Sequence, residues 1–535
     1  MGAVAQDLSA QRLERLMELG TALSAERDTD RLLERILESA QELTGADAGT
    51  LYRVAEEGDR LEFLIVRNDT LGLRLGGVNG DAVTFPDLPL YDKQGGPNHA
   101  NVAAYVALTG QTVRIADAYQ AEGFDFSGTK AVDQRTGYRS QSFLTVALRN
   151  HEEKVIGVLQ LINAVDREHG QVVAFQDADE RLVEALASQA AAAWTQRSLI
   201  DAQRELFGAF TEAIARAIDR KNPATAGHCV RVPELTMMIA DACCRAESGP
   251  LAEVDLDPEQ YYELQVAAWL HDCGKITTPE AVVNKSTKLD RQADGIREIE
   301  ARAAGILRQL EAEEGSDGPR AHQLQEDIAF LREANLGGEF MRDEDLERID
   351  RIAAEYEWID VDGRHRPLLE PEERENLRIR RGTLNEAEFG VMREHATVTL
   401  EMLEALPYPR DLARVPEIAG QHHERMDGKG YPRGIGGDAM TLRARMVAVA
   451  DVFEALTAAD RPYKPGKSLS QALGILAAMG EEGHLDPALC ALFIREGVYR
   501  RYAERYLKPE QCDAVDEQAL LERLEAVHAP EPAGV

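Results

Sequence analysis

The sequence lacks the features that place a protein in a membrane or send it out of the cell. It has no apolar run near the roughly 18–20 residues that cross a bilayer, and its N-terminus shows no basic stretch followed by an apolar one. Its six cysteines show neither a disulfide-framework spacing nor a CxxC pair. We therefore expect a cytoplasmic protein with reduced thiols.

Positive charge is also scarce. The chain has 60 Lys and Arg but 94 Asp and Glu, which gives a formal net charge of −34. Such a chain repels nucleic acid polymers and anionic lipid surfaces, so we expect neither as a partner. A small anionic substrate would require metal ions or local Lys and Arg. The length of 535 residues predicts two to four domains.

The first part of the chain predicts a helix over residues 1–30 and then an α+β domain over residues 31–195. A helix ending at Gly45 is followed by short β-like runs with Gly- and Asp-rich turns between them. These runs are AGTLYRV, EFLIVRN, QTVRIAD, SFLTVALRN and KVIGVLQLINA. A long helix follows, so the order favours an antiparallel sheet with helices.

A connecting helix is predicted over residues 196–220. The longer stretch 179–220 contains no proline, and its apolar residues fit one heptad register: Leu182, Leu186, Ala193, Ile200, Phe207, Phe210 and Ile214. This register favours a parallel coiled coil and hence a homodimer. Gln189, Gln196 and Gln203 occupy d positions and weaken the pattern. The alternative is a long helix that packs on its own domain.

The rest of the chain, from Phe207 to about Tyr506, reads as almost entirely helical. Residues 291–382 are rich in Glu and Arg and interrupt the motifs on either side, so we interpret them as a helical insertion. The insertion is either a solvated helical hairpin or a lid or partner surface. A C-terminal helix and tail are expected over 509–535.

Histidines and aspartates in five separate segments suggest a metal centre. They are His228, His271, Asp272, His395, His422, His423 and Asp451, each near apolar neighbours. An unpaired buried carboxylate is costly, whereas a carboxylate on a metal is not. Adjacent ligands on a helix end point in different directions, so two adjacent pairs plus single ligands suit two ions better than one. The N/O donors fit Fe, Mn or Zn. Any single one of these histidines could equally be structural.

These segments together resemble the HD-GYP domain of the HD phosphohydrolase superfamily. The resemblance rests on HDCGK at 271–275, His395, HHERMDGKGYP at 422–432 and the segment around Asp451. It covers residues 205–508 apart from the insertion. It implies an all-α fold and a metal-dependent phosphodiesterase that converts cyclic di-GMP to pGpG or GMP. Some members of the family cleave cyclic GMP-AMP instead.

The resemblance also implies a role for individual residues. The metal ligands would be the seven residues above, with Asp272 bridging two divalent ions, Fe or Mn in preference to Zn, Ni or Mg. Catalytic roles would fall to Asp272, Lys275 and Glu454. Substrate contacts would come from Lys275, Arg425, Tyr431, Arg461 and Lys464.

Three departures from the family pattern bear on this interpretation. Ala224 occupies the position of a Glu that allows a third metal in some members, so we expect two ions. Glu454 replaces the usual Asp, and the segment before Arg461 is one residue longer than usual. The departures leave open a catalytically weak module that senses a nucleotide.

Residues 31–195 resemble a GAF domain. The stretch VIGVLQLINAVDREHGQVVAFQDADE is similar to the signature of cyclic-nucleotide-binding members, with Asn163, Phe175, Asp179 and Glu180 in place and Ala164 where the family has Lys. The resemblance implies either a cyclic-nucleotide ligand or a GAF domain that serves only for dimerisation. In both cases the domain would regulate the phosphodiesterase.

Overall fold

The computed structural model describes residues 2–166, 169–221, 227–291, 293–315, 318–337, 340–459 and 466–527. The chain divides into two compact units, Met1–Leu206 and Phe207–Val535. Among the helices of these described ranges, none is both long enough and apolar enough to cross a membrane.

The first unit consists of helices around one sheet. Its helices are α1 (Gly2–Ala25), α2 (Thr29–Thr44), α3 (Val102–Thr109) and α4 (Ser127–Thr136). Its strands are β1 (Ala46–Val54), β2 (Arg60–Asn68), β3 (Leu73–Leu75), β4 (Leu88–Pro89), β5 (Val113–Ile115), β6 (Phe143–Arg149), β7 (Val155–Val165) and β8 (Val172–Val173). Helix α5 (Asp177–Lys221) begins in this unit and continues past its boundary.

The sheet is antiparallel throughout, with strand order β3-β2-β1-β7-β6-β5, while β4 pairs with β2 and β8 with β7. Alternating side chains supply two cores, as the period of a strand requires. Leu51 packs with α2 and α5, whereas its neighbour Tyr52 packs with α3. The expected α+β class with an antiparallel sheet is confirmed.

Helix α5 does not use the predicted heptad register as a free seam. Leu186 and Ala193 are buried in the core of the first unit, and Phe207 and Ile214 pack against the core of the second. Most of the apolar residues that the register predicted to contact a dimer partner therefore pack within their own unit.

The second unit is mainly helical. Its helices are α6 (His228–Arg245), α7 (Pro258–Leu270), α8 (Glu280–Val283), α9 (Ile296–Glu314), α10 (Pro319–Asn335), α11 (Asp343–Glu355), α12 (Pro371–Leu377), α13 (Glu386–Glu404), α14 (Val415–Gly420), α15 (Leu442–Thr457), α16 (Leu469–Glu481), α17 (Pro487–Arg495), α18 (Val498–Tyr506) and α19 (Glu517–Ala526). The main core joins α6, α7 and α14–α19, with α15 almost wholly buried within it.

The segment predicted as an insertion has a hydrophobic core of its own, contributed by α9–α12 and by residues on either side of them. It is not wholly helical, which corrects the expectation of helical segments throughout. Helix α11 ends at Glu355, and β9 (Glu357–Ile359) pairs with β10 (His365–Pro367) as an antiparallel hairpin. The stretch EYEWI continued an apolar pattern, but Tyr356 leaves the helix in extended backbone with φ −107° and ψ 129°.

Candidate metal centre

Helix ends and short turns present most of the predicted ligands. His228 is the first residue of α6, and His271 follows the last residue of α7. Asp272 precedes a short 3-10 helix, Cys273–Thr277. His422 and His423 follow α14, whereas His395 and Asp451 lie within α13 and α15.

A glycine allows two of these segments to meet. A Cβ on Gly274 would lie 2.1 Å from the carbonyl oxygen of His395 and 2.6 Å from the amide nitrogen of Thr399. The Gly274 N–H donates instead to the Thr399 hydroxyl at 2.9 Å. The residue type at position 274 therefore lets α13 approach the turn that carries Asp272.

Asp272 stands between two sets of histidines. Its Oδ2 lies 3.2 Å from His228 Nε2 and 3.4 Å from His271 Nε2. Its Oδ1 lies 3.4 Å from His395 Nε2 and 3.8 Å from His422 Nε2. Each oxygen of this one buried carboxylate thus faces a different pair of imidazoles.

Asp451 makes a second connection between the two sets. Its Oδ1 lies 3.3 Å from His228 Nε2, and its Oδ2 lies 3.9 Å from His423 Nδ1. Two groups have ligand atoms within 4.8 Å of one another: His228, His271 and Asp272 in one, and His395, His422 and His423 in the other. The structure therefore brings all seven predicted ligands together.

The nitrogen atoms that face the cluster are buried and unsatisfied. In the described part of the chain, Nε2 of His228, His271, His395 and His422 has no hydrogen-bond partner, and neither has Asp272 Oδ1. A buried polar atom without a partner is rare and costly. These atoms fit the donor set of a metal centre.

Hydrogen bonds on the opposite side of three rings fix their tautomer. His271 Nδ1 donates to the Ala268 carbonyl at 2.7 Å and His422 Nδ1 to the Ala419 carbonyl at 2.6 Å; His395 contacts the Met392 carbonyl in the same way. A carbonyl only accepts, so each Nδ1 carries the proton and each Nε2 presents its lone pair to the cluster.

Burial and nearby charge favour neutral His422 and His423 and ionised aspartates. Burial, followed by the nearby His271, lowers the pKa of His422 to about 3. Burial and then His422 lower the pKa of His423 well below its usual value. Burial raises the pKa of Asp272, but the Lys275 ammonium and His271 outweigh it, so the pKa lies well below its usual range. These protonation states are those that metal ligands adopt.

Glu454 lies behind His228 and is almost completely buried. Its Oε2 contacts His228 Nδ1, and its Oε1 accepts from Arg231 Nε at 2.7 Å. Burial lowers the pKa of His228, but the carboxylates of Glu454, Asp272 and Asp451 outweigh it and raise the pKa. Three carboxylates thus converge on one imidazole, an arrangement that favours a cation beside it.

Lys275 lies beside the cluster. Its ammonium contacts Asp272 Oδ2. Burial alone would lower the pKa of Lys275, but Asp272 and Asp451 raise it above the ordinary value for lysine. The structure therefore places a partly buried lysine, whose pKa favours the protonated form, next to the two carboxylates.

The loop 422–432 forms one side of the cluster. The ring of Tyr431 lies 4.8 Å from that of His423, and the guanidinium of Arg393 lies 4.9 Å from the Tyr431 ring. Arg425 pairs with Asp427 through two hydrogen bonds of 3.1 and 2.9 Å. A Cβ on Gly430 would come within 2.5 Å of backbone atoms, so glycine is required for this fold of the loop.

A cavity of about 610 Å³ opens beside this loop. Four of the predicted site residues line it: His423, Arg425, Tyr431 and Asp451. Sequence reasoning did not identify Arg381, Arg393, Lys429 and Lys467, which line it as well. Arg393 lies two residues before His395 and could have been considered on that ground. Arg461 and Lys464, predicted to contact substrate, lie outside the described residues, and so does Ala224.

Residues of the stretch that resembles the cyclic-nucleotide-binding signature make hydrogen bonds within the first unit. Asn163 Oδ1 accepts from Gln141 N at 2.7 Å, and its Nδ2 donates to the Tyr138 hydroxyl at 2.9 Å. Asp179 Oδ2 accepts from Gln176 N at 2.8 Å, before the first turn of α5. These contacts hold loops and helix ends in position, which is a scaffolding role.

Known proteins match the chain in two regions. Residues 28–194 match the GAF domain family, and residues 368–489 match the HD domain family. The 3′3′-cGAMP-specific phosphodiesterase 3 of Vibrio cholerae is 43% identical over 95 residues, 18% of this chain and 20% of that protein. A cyclic di-GMP phosphodiesterase of Pseudomonas aeruginosa is 40% identical over 119 residues, 22% of this chain and 28% of that protein. Each match spans less than a third of the relative's length.

The matched HD region contains His395, His422, His423 and Asp451, whereas His228, His271 and Asp272 precede it in the sequence. In the structure the two groups lie close together around the Asp272 carboxylate, and the HHERMDGKGYP loop lies beside them. Residues 28–194 are therefore similar to GAF domains and residues 368–489 to HD domains, and the HHERMDGKGYP loop lies within the second match.

Proposed function

We propose that this chain is a metal-dependent phosphodiesterase that hydrolyses a cyclic dinucleotide, cyclic di-GMP to pGpG or GMP, under the control of its GAF domain. The observation that carries the proposal is the buried Asp272 carboxylate, whose two oxygens face two sets of histidines with unpartnered nitrogens. The catalytic domain would run over 205–508 around the insertion 291–382, and the GAF domain over 31–195.

Two divalent ions would be held by the seven clustered residues. His228 and His271 would serve one ion, His395, His422 and His423 the other, and Asp272 and Asp451 reach both sets. Donors of N and O type without thiolate favour Fe or Mn over softer ions. When bound, such ions lower the pKa of water and stabilise charge on phosphoryl oxygens.

The chain's own residues would orient the substrate and manage charge. The partly buried, protonated Lys275 beside Asp272 would stabilise a scissile phosphate or give a proton to the leaving oxygen. Glu454 would act as a positioning residue through His228. Tyr431 and Arg425, which line the cavity, would contact the nucleotide together with Arg461 and Lys464.

The curated relatives support the substrate class but divide on its identity. One is named a 3′3′-cGAMP phosphodiesterase and another a cyclic di-GMP phosphodiesterase. The cavity of about 610 Å³ has five cationic residues on its walls, in a chain of net charge −34. A site that gathers scarce positive charge suits an anionic ligand.

We also propose a homodimer through α5, along a seam that shares Gln203 and Phe210 with the predicted register. Leu199, Leu206 and Phe210 are 61%, 71% and 62% exposed, and with Gln203 they follow the alternating four- and three-residue spacing of a coiled coil. A second copy of this chain presenting the same seam would cover them. A cytoplasmic location and a cyclic-nucleotide ligand for the GAF domain complete the proposal.

Turnover on a substrate panel tests the proposed function. Protein loaded anaerobically with Fe(II) or Mn(II) is expected to linearise cyclic di-GMP, with 3′3′-cGAMP assayed in parallel to decide the alternative. Replacing Asp272 by Asn should abolish hydrolysis of both, whereas Asp438→Asn, at an exposed position outside the cluster, should not. Metal-loaded wild-type protein that cleaves neither substrate would contradict the proposal.

A further inference from the structure

One wall of the cavity beside Tyr431 carries two arginines that no motif predicted. Arg381 and Arg393 line it together with Arg425, Lys429 and Lys467, and Asp451 is the one carboxylate among the described lining residues. Asp451 belongs to the histidine cluster. The wall away from the cluster is therefore cationic.

Arg381 reaches this wall from the end of the predicted insertion. The two nearby arginines form ion pairs outside the cavity: Arg378 pairs with Asp350, and Arg380 pairs with Asp343 at 2.5 Å. Within the described ranges Arg381 has no ion pair, and its side chain faces the cavity. The end of the insertion thus contributes one positive charge, that of Arg381, to the cavity, without an ion pair to any described residue.

Arg393 is held by stacking. Its guanidinium lies 4.9 Å from the Tyr431 ring and 5.8 Å from the Phe389 ring. No carboxylate of the described chain pairs with it. Stacking uses the face of a guanidinium and leaves its in-plane N–H groups free for a planar or tetrahedral anion. Tyr431 also contacts His423 at 4.8 Å, so one ring separates Arg393 from the histidine cluster.

The cations of this wall differ in their partners. Arg425 and Lys429 share the Asp427 carboxylate, whereas Arg381 and Arg393 have no carboxylate partner among the described residues. Burial and then Arg425 lower the pKa of His484, another lining residue, Asp427 and Glu482 raise it, and Arg381 adds to the lowering. A chain with 94 acidic residues could readily have paired these arginines. A cavity in which these two arginines have no ion pair with any described residue, beside a proposed phosphodiester site, suits a substrate with a second negative charge.

We propose that Arg381 and Arg393 form a subsite for the phosphate that is not being cleaved, so that the end of the insertion selects substrates with two phosphodiesters. The inference rests on the proposed function and deepens it. A cyclic dinucleotide carries two phosphates across its ring. A substrate with one phosphodiester engages the histidine cluster and leaves the two arginines unused.

The test compares two substrates on the full-length, Mn(II)-loaded protein. Arg381→Gln and Arg393→Gln should each raise the KM for cyclic di-GMP by roughly tenfold, the size of one charge-assisted hydrogen bond, with kcat nearly unchanged. Hydrolysis of bis(p-nitrophenyl) phosphate, which has one phosphodiester, should stay within about twofold of wild type. Arg393→Lys, which keeps the charge, should recover part of the loss.

Arg433→Gln is the matched control, because Arg433 is half exposed and pairs with Glu404 outside the cavity. Arg433→Gln should change neither the KM for cyclic di-GMP nor the hydrolysis of bis(p-nitrophenyl) phosphate. An unchanged KM for cyclic di-GMP in both glutamine variants would overturn the subsite, as would an equal loss on both substrates.

Equilibrium binding separates this proposal from the proposed function. If wild-type protein binds cyclic di-GMP without cleaving it, the proposed function fails, and the subsite is then judged by affinity alone. A Kd about tenfold weaker in each glutamine variant supports the subsite, and a Kd equal to that of wild type overturns it.

Discussion

Asp272 shows how one residue can organise two sets of ligands. Its carboxylate is buried, its Oδ2 faces His228 and His271, and its Oδ1 faces His395. A buried carboxylate with an unsatisfied oxygen is costly by itself. Because the opposed imidazole nitrogens also lack partners in the described structure, bound cations would remove this cost for both groups.

Glu454 gives a prediction at the same scale. It contacts His228 Nδ1 and accepts from Arg231, so it orients a ligand without facing the second set of histidines. Glu454→Gln keeps the shape and loses the charge, and we expect metal affinity to fall roughly tenfold or more. A chelator competition titration measures this affinity.

The control for this prediction is Glu417→Gln, since Glu417 makes an exposed ion pair with Arg414 at 2.9 Å. Its metal affinity should match that of wild type. If Glu454→Gln binds metal as tightly as wild type while its unfolding midpoint falls, Glu454 is a packing residue and the positioning role is wrong.

Local sequence was most informative at this scale. The ligands occur in dense motifs such as HDCGK and HHERMDGKGYP, so spacing alone suggested that they belong together. Arg381 does not belong to such a motif. Its place at the cavity depends on where the insertion ends and on the ion pairs of Arg378 and Arg380 with other carboxylates. Contacts of that kind are tertiary and leave no local periodicity.

Elements were predictable where one periodicity held from end to end. The five strand-like runs correspond to β1, β2, β5, β6 and β7, whose alternation places Leu51 and Tyr52 in different cores. The hairpin of β9 and β10 was missed, because EYEWI extends the apolar spacing of α11 although the backbone turns extended at Tyr356. In α5 the heptad spacing of apolar residues is present in the sequence. The structure buries Leu186 in the core of its own unit, so this residue cannot contact a dimer partner.

A buried lysine just before the insertion, Lys288, contacts the insertion and should make the stability of this region depend on pH. Lys288 is 1% exposed, and its ammonium donates to the Leu377 carbonyl at 2.9 Å without an ion pair among the described residues. Burial lowers its pKa to about 8. Because the unfolded chain then holds this proton more tightly, Lys288 opposes folding below about pH 8 and ceases to do so as pH rises towards 10.5.

We therefore expect the stability of wild type relative to Lys288→Met to increase with pH. Between pH 7 and about pH 10.5 the gain should reach up to roughly 3 kcal/mol. Urea unfolding followed by circular dichroism, at a series of pH values, measures the difference. Lys508→Met, at an exposed lysine, should show a difference that does not change with pH. A flat difference for Lys288→Met as well would show that the folded state stabilises the charged lysine.

At the scale of the whole molecule, α5 links the matched GAF and HD regions and exposes an apolar seam. The double variant Leu199→Glu/Leu206→Glu places charge on residues that are 61% and 71% exposed, so a monomer should tolerate it. We expect wild type to have the mass of a dimer in light scattering and the variant that of a monomer.

Leu336→Glu is the control, because Leu336 is 58% exposed and belongs to the predicted insertion, at the end of α10, and not to α5. It should leave the dimer intact. A wild-type monomer at tens of micromolar, or a dimer that survives both glutamates, would show that the seam is not an interface.

Charge also acts at the scale of the whole molecule. A chain of net charge −34 disfavours every anionic ligand at long range, and this repulsion weakens as salt screens it. The cavity gathers five cationic side chains, and divalent ions at the Asp272 cluster would add further positive charge against that field. We therefore propose that divalent ions at the Asp272 cluster make a phosphodiesterase of an otherwise strongly acidic protein.

A metal titration under anaerobic conditions tests this claim most directly. Chelator-treated protein receives increasing Mn(II), and bound metal per chain and hydrolysis of cyclic di-GMP are measured on the same samples. We predict that hydrolysis is absent without metal and saturates at two ions per chain, and that Asp272→Asn loses both metal and turnover. Wild type that binds two ions and cleaves no cyclic dinucleotide, or Asp272→Asn that retains two ions and full turnover, would contradict the account.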